Sequence, residues 1–157
     1  MHLYVVRHAR AEPRGALWPD DRRRPLTDAG VAAFEALLDS ARCRRVRLDL
    51  VLTSGYRRAS STARLLVRAS RHTTPLRVTR TLEPGRTPEA VMRALRGTPV
   101  RAAAVVGHEP DLSMLLTHLT GRAPRRPLPK GAICCVRLTR MEAGAGRILW
   151  TTAPHAR

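Results

Sequence analysis

The sequence predicts a three-layer α/β sandwich, with a mainly parallel sheet that ends in a C-terminal hairpin. Two observations carry that expectation. Short apolar runs alternate four times with helical stretches, the rhythm of βα units. After the fourth unit, runs at 132–138 and 147–152 are joined around Gly144 and Gly146, which reads as an antiparallel pair. A length of 157 residues suits one domain, 1–157, with a core large enough to fold unaided. Hydrophobic residues make up 43% of the chain, too many for a disordered tail. No uninterrupted apolar run reaches the ~18 residues that a membrane span needs, so no membrane association is expected.

The elements follow in order. Residues 3–6 form a short apolar, partly β-branched run, as in a strand buried on both faces. The stretch 10–25 carries Pro13, Gly15, Pro19 and Pro25 among many charges and reads as a long loop. Thr27 offers a hydroxyl cap, and Val31, Phe34, Leu37 and Leu38 recur at helical spacing, which predicts a helix over 28–41. Residues 48–53 are a second strand; a helix follows over 57–70 with Ala59, Thr62, Ala63, Leu65 and Leu66 inward. A third strand spans 75–79, before a turn at Glu83-Pro84-Gly85. Pro88 then opens a helix to about 96, at a position where its missing N–H costs nothing. Residues 102–106 are the fourth strand and 111–119 the last helix, followed by a Pro-rich loop at 122–129.

Charge is the unusual quantity. Twenty-nine Lys+Arg against 12 Asp+Glu give a formal +17, and Lys130 is the only lysine. Such an excess steers anions, yet arginine-rich coding places the same residues on ordinary solvated faces. The Arg22–Arg24 run and the 122–126 loop read as solvated, or as docking sites for an acidic partner. With 3% aromatic residues there is little stacking surface, and no readout motif appears, so a basic nucleic-acid-binding module is the weaker rival and no specific nucleic acid is expected. Cys43, Cys134 and Cys135 make neither a C-x-x-C nor a zinc spacing; Cys134 and Cys135 point to opposite faces of a strand, as packing residues do. The apolar stretch after Met1 is too short for a secretory signal, so a cytoplasmic location is expected. His2, His8 and Glu12 have no supporting cluster, and neither a metal nor a cofactor is expected.

The chemistry gathers at three strand ends. The first strand ends in Arg7-His8, the second leads through Ser54-Gly55-Tyr56 to Arg57-Arg58, and the fourth ends in Gly107-His108-Glu109. In a parallel sheet these loops converge on one edge. Two imidazoles and two or more guanidiniums suit a phosphoryl group. Neutral imidazole is a nucleophile near pH 7, and guanidinium forks hold phosphate oxygens while charge develops.

Four ordered blocks carry a resemblance. Leu-Tyr-Val-Val-Arg-His-Ala at 3–9, Arg-Pro-Leu-Thr-Asp-Ala-Gly at 24–30, Leu-Thr-Ser-Gly-Tyr-Arg-Arg-Ala-Ser-Ser-Thr-Ala at 52–63 and Val-Val-Gly-His-Glu-Pro at 105–110 resemble the histidine phosphatase superfamily. That is the phosphoglycerate mutase-like fold, and within it the chain looks like the SixA-type phosphohistidine phosphatase branch. Ala9 stands where the family usually has glycine. The resemblance implies that His8 accepts the phosphoryl group, that Arg7 and Arg58 bind its oxygens and that His108 completes the pocket. Arg58 is preferred to Arg57 because it immediately precedes Ala59.

The proton donor departs from the pattern. Larger members carry a glutamate on a long insertion that this chain lacks room for, leaving Glu83 as candidate acid and Glu109 as a second. A phosphoramidate can lose an already protonated imidazole and needs neither. The expected substrate is therefore phosphohistidine on a signalling or phosphotransfer protein, with a small phosphate ester or nucleotide as the alternative. The oligomeric state is left open, and retention of all four pocket residues argues against a dead scaffold.

Overall fold

The computed structural model describes residues 1–40, 42–70 and 73–154. Six strands form one sheet: β1 (His2–Arg7), β2 (Leu50–Thr53), β3 (Leu76–Val78), β4 (Ala102–Gly107), β5 (Ile133–Leu138) and β6 (Gly146–Thr152). Their spatial order is β3-β2-β4-β1-β5-β6. The first four are mutually parallel, whereas β5 pairs antiparallel with both β1 and β6. The helices are α1 (Asp28–Leu38), α2 (Arg57–Ala69), α3 (Pro88–Leu95) and α4 (Asp111–Thr120). The predicted α/β/α architecture with its terminal hairpin is the one observed.

The alternation of side chains along each strand explains the layers. Leu3 and Val5 of β1, with Leu50, Leu52, Val105, Cys134 and Val136, pack under α3 and α4 through Val91, Met92, Leu95, Leu112, Leu115, Leu116 and Leu119. Val6, Val51, Val106 and Ile133 face the other way, onto Phe34, Leu37 and Leu38 of α1 and Ala59, Ala63 and Leu66 of α2. Cys134 and Cys135 do lie on opposite faces: Cys134 joins the first of these clusters and Cys135 meets Tyr4, whose hydroxyl is pushed up to about 12, first by burial and then by Cys135.

This placement creates the crevice that holds the site. The chain leaves β1 toward α1 on one face and leaves β4 toward α4 on the other, although the two strands are neighbours. Loops that part to opposite faces leave an opening at the C-terminal ends of the strands, where open α/β sheets bind ligands. Gly30 allows α1 to come in tightly, since a Cβ there would collide with the Arg10 carbonyl oxygen.

Several boundaries differ from expectation. The helix predicted over 28–41 ends at Leu38, because Ser40 turns the chain, its carbonyl and hydroxyl both receiving the Cys43 N–H; position 41 lies outside the described residues. The second strand starts at Leu50 rather than 48. Asp49 accepts the Arg101 and Ala102 N–H groups with its carboxylate at 2.7 and 2.9 Å and so braces the start of β4. The 10–25 loop contains a 3-10 turn at Asp21–Arg23, capped by Asp20, and a second 3-10 turn follows β3 at Arg80–Leu82.

Candidate functional site

At the end of β1, His8 is 6% exposed. Its Nδ1 lies 2.7 Å from the Ala9 carbonyl oxygen. A carbonyl only accepts, so the ring proton is on Nδ1 and the lone pair is on Nε2. Arg58 points its Nε–H at that lone pair from 3.3 Å, a long and weak hydrogen bond. Burial, with Arg58 and Arg7 adding to it, holds the His8 pKa down at about 4, so the ring is neutral at pH 7.

The β2–α2 block places its partners. Thr62, one turn beyond Arg58, donates to the Arg58 carbonyl at 2.8 Å and accepts the Ala9 N–H at 3.0 Å, which ties α2 to the residue after His8. Arg58 is 2% exposed. Its other nitrogens go to Asp21: Nη1 to the carbonyl oxygen at 2.7 Å and Nη2 to Oδ2 at 2.9 Å. Asp21 Oδ1 accepts from Arg24 Nε at 2.9 Å and Arg14 Nε at 3.2 Å. Two guanidiniums lie over the Tyr56 ring, Arg58 at 4.8 Å and Arg22 at 5.0 Å from its centre.

His108, at the end of β4, is 5.2 Å from His8 between ring centres and edge-on to Tyr56. Its Nε2 is 2.8 Å from Ser54 Oγ. Ser54 Oγ also accepts the Tyr56 N–H at 3.4 Å, and its second lone pair or its hydroxyl proton serves the His108 contact according to the tautomer of that ring. Nδ1 has no protein partner although it is buried. Burial, reinforced by His8 and Arg58, holds the His108 pKa near 3.

Arg7 reaches across to the Leu128 carbonyl with Nη1 at 2.7 Å, while its buried Nε has no partner. Burial lowers its pKa, and Glu109 partly opposes that. Arg7, His8, Arg58 and His108 are thus brought together as expected, and Arg57 is exposed. Glu109 accepts the Leu128 and Ser113 N–H groups, one on each oxygen, and so braces two segments. Glu83 shares a small cleft of about 10 Å³ with His108, and its carboxylate is held by Arg22 Nη2 at 2.7 Å. The basic run is not simply solvated: Arg24 is 8% exposed, on Asp21 and the Glu12 carbonyl, and Arg22 pairs with Glu83. Asp21 and Ser54 escaped the sequence reading as site groups. The one available signal for Asp21 was an acidic pair immediately ahead of the Arg22–Arg24 run.

Among the described residues no group of three or more His, Cys, Asp or Glu side chains is placed to hold a metal ion, and no helix is long and apolar enough to cross a membrane.

Known proteins supply a frame for this geometry. The protein histidine phosphatase SixA, solved in complex with tungstate, superposes with a TM-score of 0.84 at 26% identity, over 98% of this chain and 97% of that one. A protein from Agrobacterium tumefaciens assigned to the SixA phosphohistidine phosphatases gives 0.81 at 24% identity, over 98% and 97%. The alpha-ribazole phosphatase from Shigella flexneri shares the fold at 0.72 and 19%, over the full length of both chains. No curated protein matches the sequence. The sequence profile of the histidine phosphatase superfamily (branch 1) matches residues 3–83, more than half of the chain, across both the Arg7-His8 and the Arg58 blocks. The chain therefore belongs to the histidine phosphatase superfamily, branch 1, and is a phosphatase.

Proposed function

We propose that this phosphatase hydrolyses phosphohistidine on a signalling or phosphotransfer protein, in the cytoplasm, with residues 1–157 acting as one catalytic domain without a cofactor. The observation that carries the reading is a pair of unpaired buried nitrogens, Arg7 Nε on the residue before His8 and His108 Nδ1 on the ring 5.2 Å from that of His8. Buried polar nitrogens normally have partners, and phosphoryl oxygens next to a nucleophile would supply one to Arg7 Nε–H and, with the ring proton on Nδ1, to His108.

In the first step His8 Nε2 attacks phosphorus, the substrate's P–N bond breaks, and the leaving imidazole departs with its own proton. The Nδ1–H bond to the Ala9 carbonyl keeps the ring in the attacking tautomer and stabilises the imidazolium character of phospho-His8. Arg58 Nε–H, released from Nε2 as the new bond forms, turns to a phosphoryl oxygen. Arg7 and His108 hold the other oxygens. Water then attacks phosphorus, the His8–phosphorus bond breaks, and inorganic phosphate leaves.

A phosphate ester as substrate would need a proton on its leaving oxygen. Glu83 and Asp111 line the cleft with His108, but the Glu83 carboxylate is held by Arg22 Nη2 at 2.7 Å and Asp111 accepts the Gly85 N–H at 2.7 Å. Glu109 is committed to two backbone N–H groups. Among the described residues each carboxylate near His108 is thus already engaged, which supports the phosphoramidate substrate. The test is to incubate the protein with radiolabelled phosphohistidine donors. An acid-labile, base-stable phosphoenzyme is expected in the wild type, with none in His8→Ala. If His8→Ala is labelled as well as the wild type, the mechanism is wrong.

A further inference from the structure

Lys130 is the only lysine among 29 basic residues. It stands in a turn that is fastened to the site on both sides. Arg7 Nη1 donates to the Leu128 carbonyl at 2.7 Å, and the Leu128 N–H goes to Glu109 at 2.9 Å. The Gly131 N–H is shared between the Arg7 and His8 carbonyls at 3.2 and 3.0 Å, and the Ala132 N–H closes the turn on Pro129 at 3.0 Å. Gly131 adopts a φ of +77°, which glycine takes without strain. Lys130 is therefore held near Arg7 and His8 by Gly131 on one side and Leu128, two residues before it, on the other, while the residue itself is exposed.

Its surroundings are cationic. Partial burial, and after it the charges of Arg7, Arg10, Arg24 and Arg58, lower the Lys130 pKa. Asp21 compensates Arg58, Arg24 and Arg14. Among the described residues, Lys130, Arg7 and Arg10 form no ion pair with a carboxylate. Like charges so gathered repel one another, and an anion carrying two charges relieves that repulsion when it arrives. An ammonium on a flexible stem, with three rotatable donors, is suited to reach a tetrahedral oxyanion from the rim of a pocket whose floor is fixed guanidiniums.

We propose that Lys130 is a further phosphoryl-binding residue of this site, its ammonium closing over the oxygens that Arg7, Arg58 and His108 hold from below. The inference rests on the proposed function for the location of the phosphoryl group, but it can be tested without turnover. Calorimetric binding of inorganic phosphate at fixed ionic strength should be about tenfold weaker in Lys130→Met, the size of one lost charge-assisted hydrogen bond, with Lys130→Gln behaving likewise. Lys130→Arg should retain affinity to within about threefold. Arg147→Met, on exposed β6, removes the same net charge elsewhere and should cost less than about twofold. Melting temperatures report that each variant folds. If Lys130→Met binds phosphate as tightly as Arg147→Met does, or if the wild type binds no phosphate at millimolar concentration, the inference is overturned. A wild type that binds phosphate through Lys130 yet forms no phosphoenzyme would sink the proposed reaction and leave this inference standing.

Discussion

The two ends of the sheet hold opposite kinds of opening. At the C-terminal ends of β1, β2 and β4 the side chains are polar and buried, with His8, Ser54, Arg58 and His108 at most 6% exposed, and the nearby cleft is tiny. At the other end a groove of about 510 Å³ runs over Met1, Leu95, Val100, Leu138 and Met141, rimmed by Arg96, Arg101 and Arg140. Volume alone would choose the wrong end. What separates them is the cost of polar groups: desolvated imidazoles and guanidiniums persist only where a network holds them, whereas exposed arginines on an apolar floor need no such support.

The sharpest way to break this contrast is to remove a guanidinium from each end. Arg58→Ala should lower kcat by about 100- to 1,000-fold, since in the proposed mechanism it removes charge aimed at the phosphoryl oxygens in a buried site. A loss below tenfold would mean that the buried network is scaffolding and not machinery.

A smaller effect concerns pH. His8 and His108 titrate at about 4 and about 3 in the folded protein, because burial penalises their charged forms, against about 6.5 unfolded. Between about pH 6.5 and 4 the unfolded chain therefore binds more protons than the folded one, and stability falls as pH falls through that window. Denaturant unfolding at pH 7 and pH 5 should show this loss, and it should shrink in His108→Ala relative to that variant's own stability at pH 7. Ring-proton NMR should find both imidazoles neutral at pH 5.5. Titration of His8 near 6.5 would remove the argument that the site is desolvated.

How much of this was written in the sequence depends on how locally each part is determined. Strand runs, the Thr27 cap and Pro88 at its helix start act within a few residues, so the element order was legible. Arg7, His8, Arg58 and His108 were legible because each is tied to the end or start of a regular element. Asp21 was not. Its role exists only because Arg58, 37 positions away, reaches back to it, and the acidic pair at 20–21 does not announce that partner. Lys130 was noticed as a count and not as a place, since the bonds that hold its turn come from Arg7, His8 and Glu109. The helix that stops at Leu38 and the strand that starts at Leu50 show the same thing at smaller scale. Ser40 and Asp49 spend their side chains on backbone N–H groups, a competition that hydrophobic periodicity does not register.

The smallest expected effect lies at the groove, and it sharpens the comparison most. β1 and β4 run in register from the groove to the site, with His2 beside Ala102 at one end and Arg7 beside Gly107 at the other. If the ends were coupled, the disturbance would travel along these two strands, through the buried Leu3, Val5 and Val6 of β1 and residues 103–107 of β4. Arg101 stands immediately before β4, and its backbone N–H is held by Asp49. Arg101→Ala deletes the exposed guanidinium and leaves that backbone bond in place, so stability should change by less than about 0.5 kcal/mol. Phosphatase kcat/KM should stay within about twofold of wild type, because the lost charge is solvent-screened and most of a domain's width away. A tenfold change in kcat/KM with an unchanged melting temperature would show that the rigid pair of strands transmits strain, and the two ends would then have to be treated as one site.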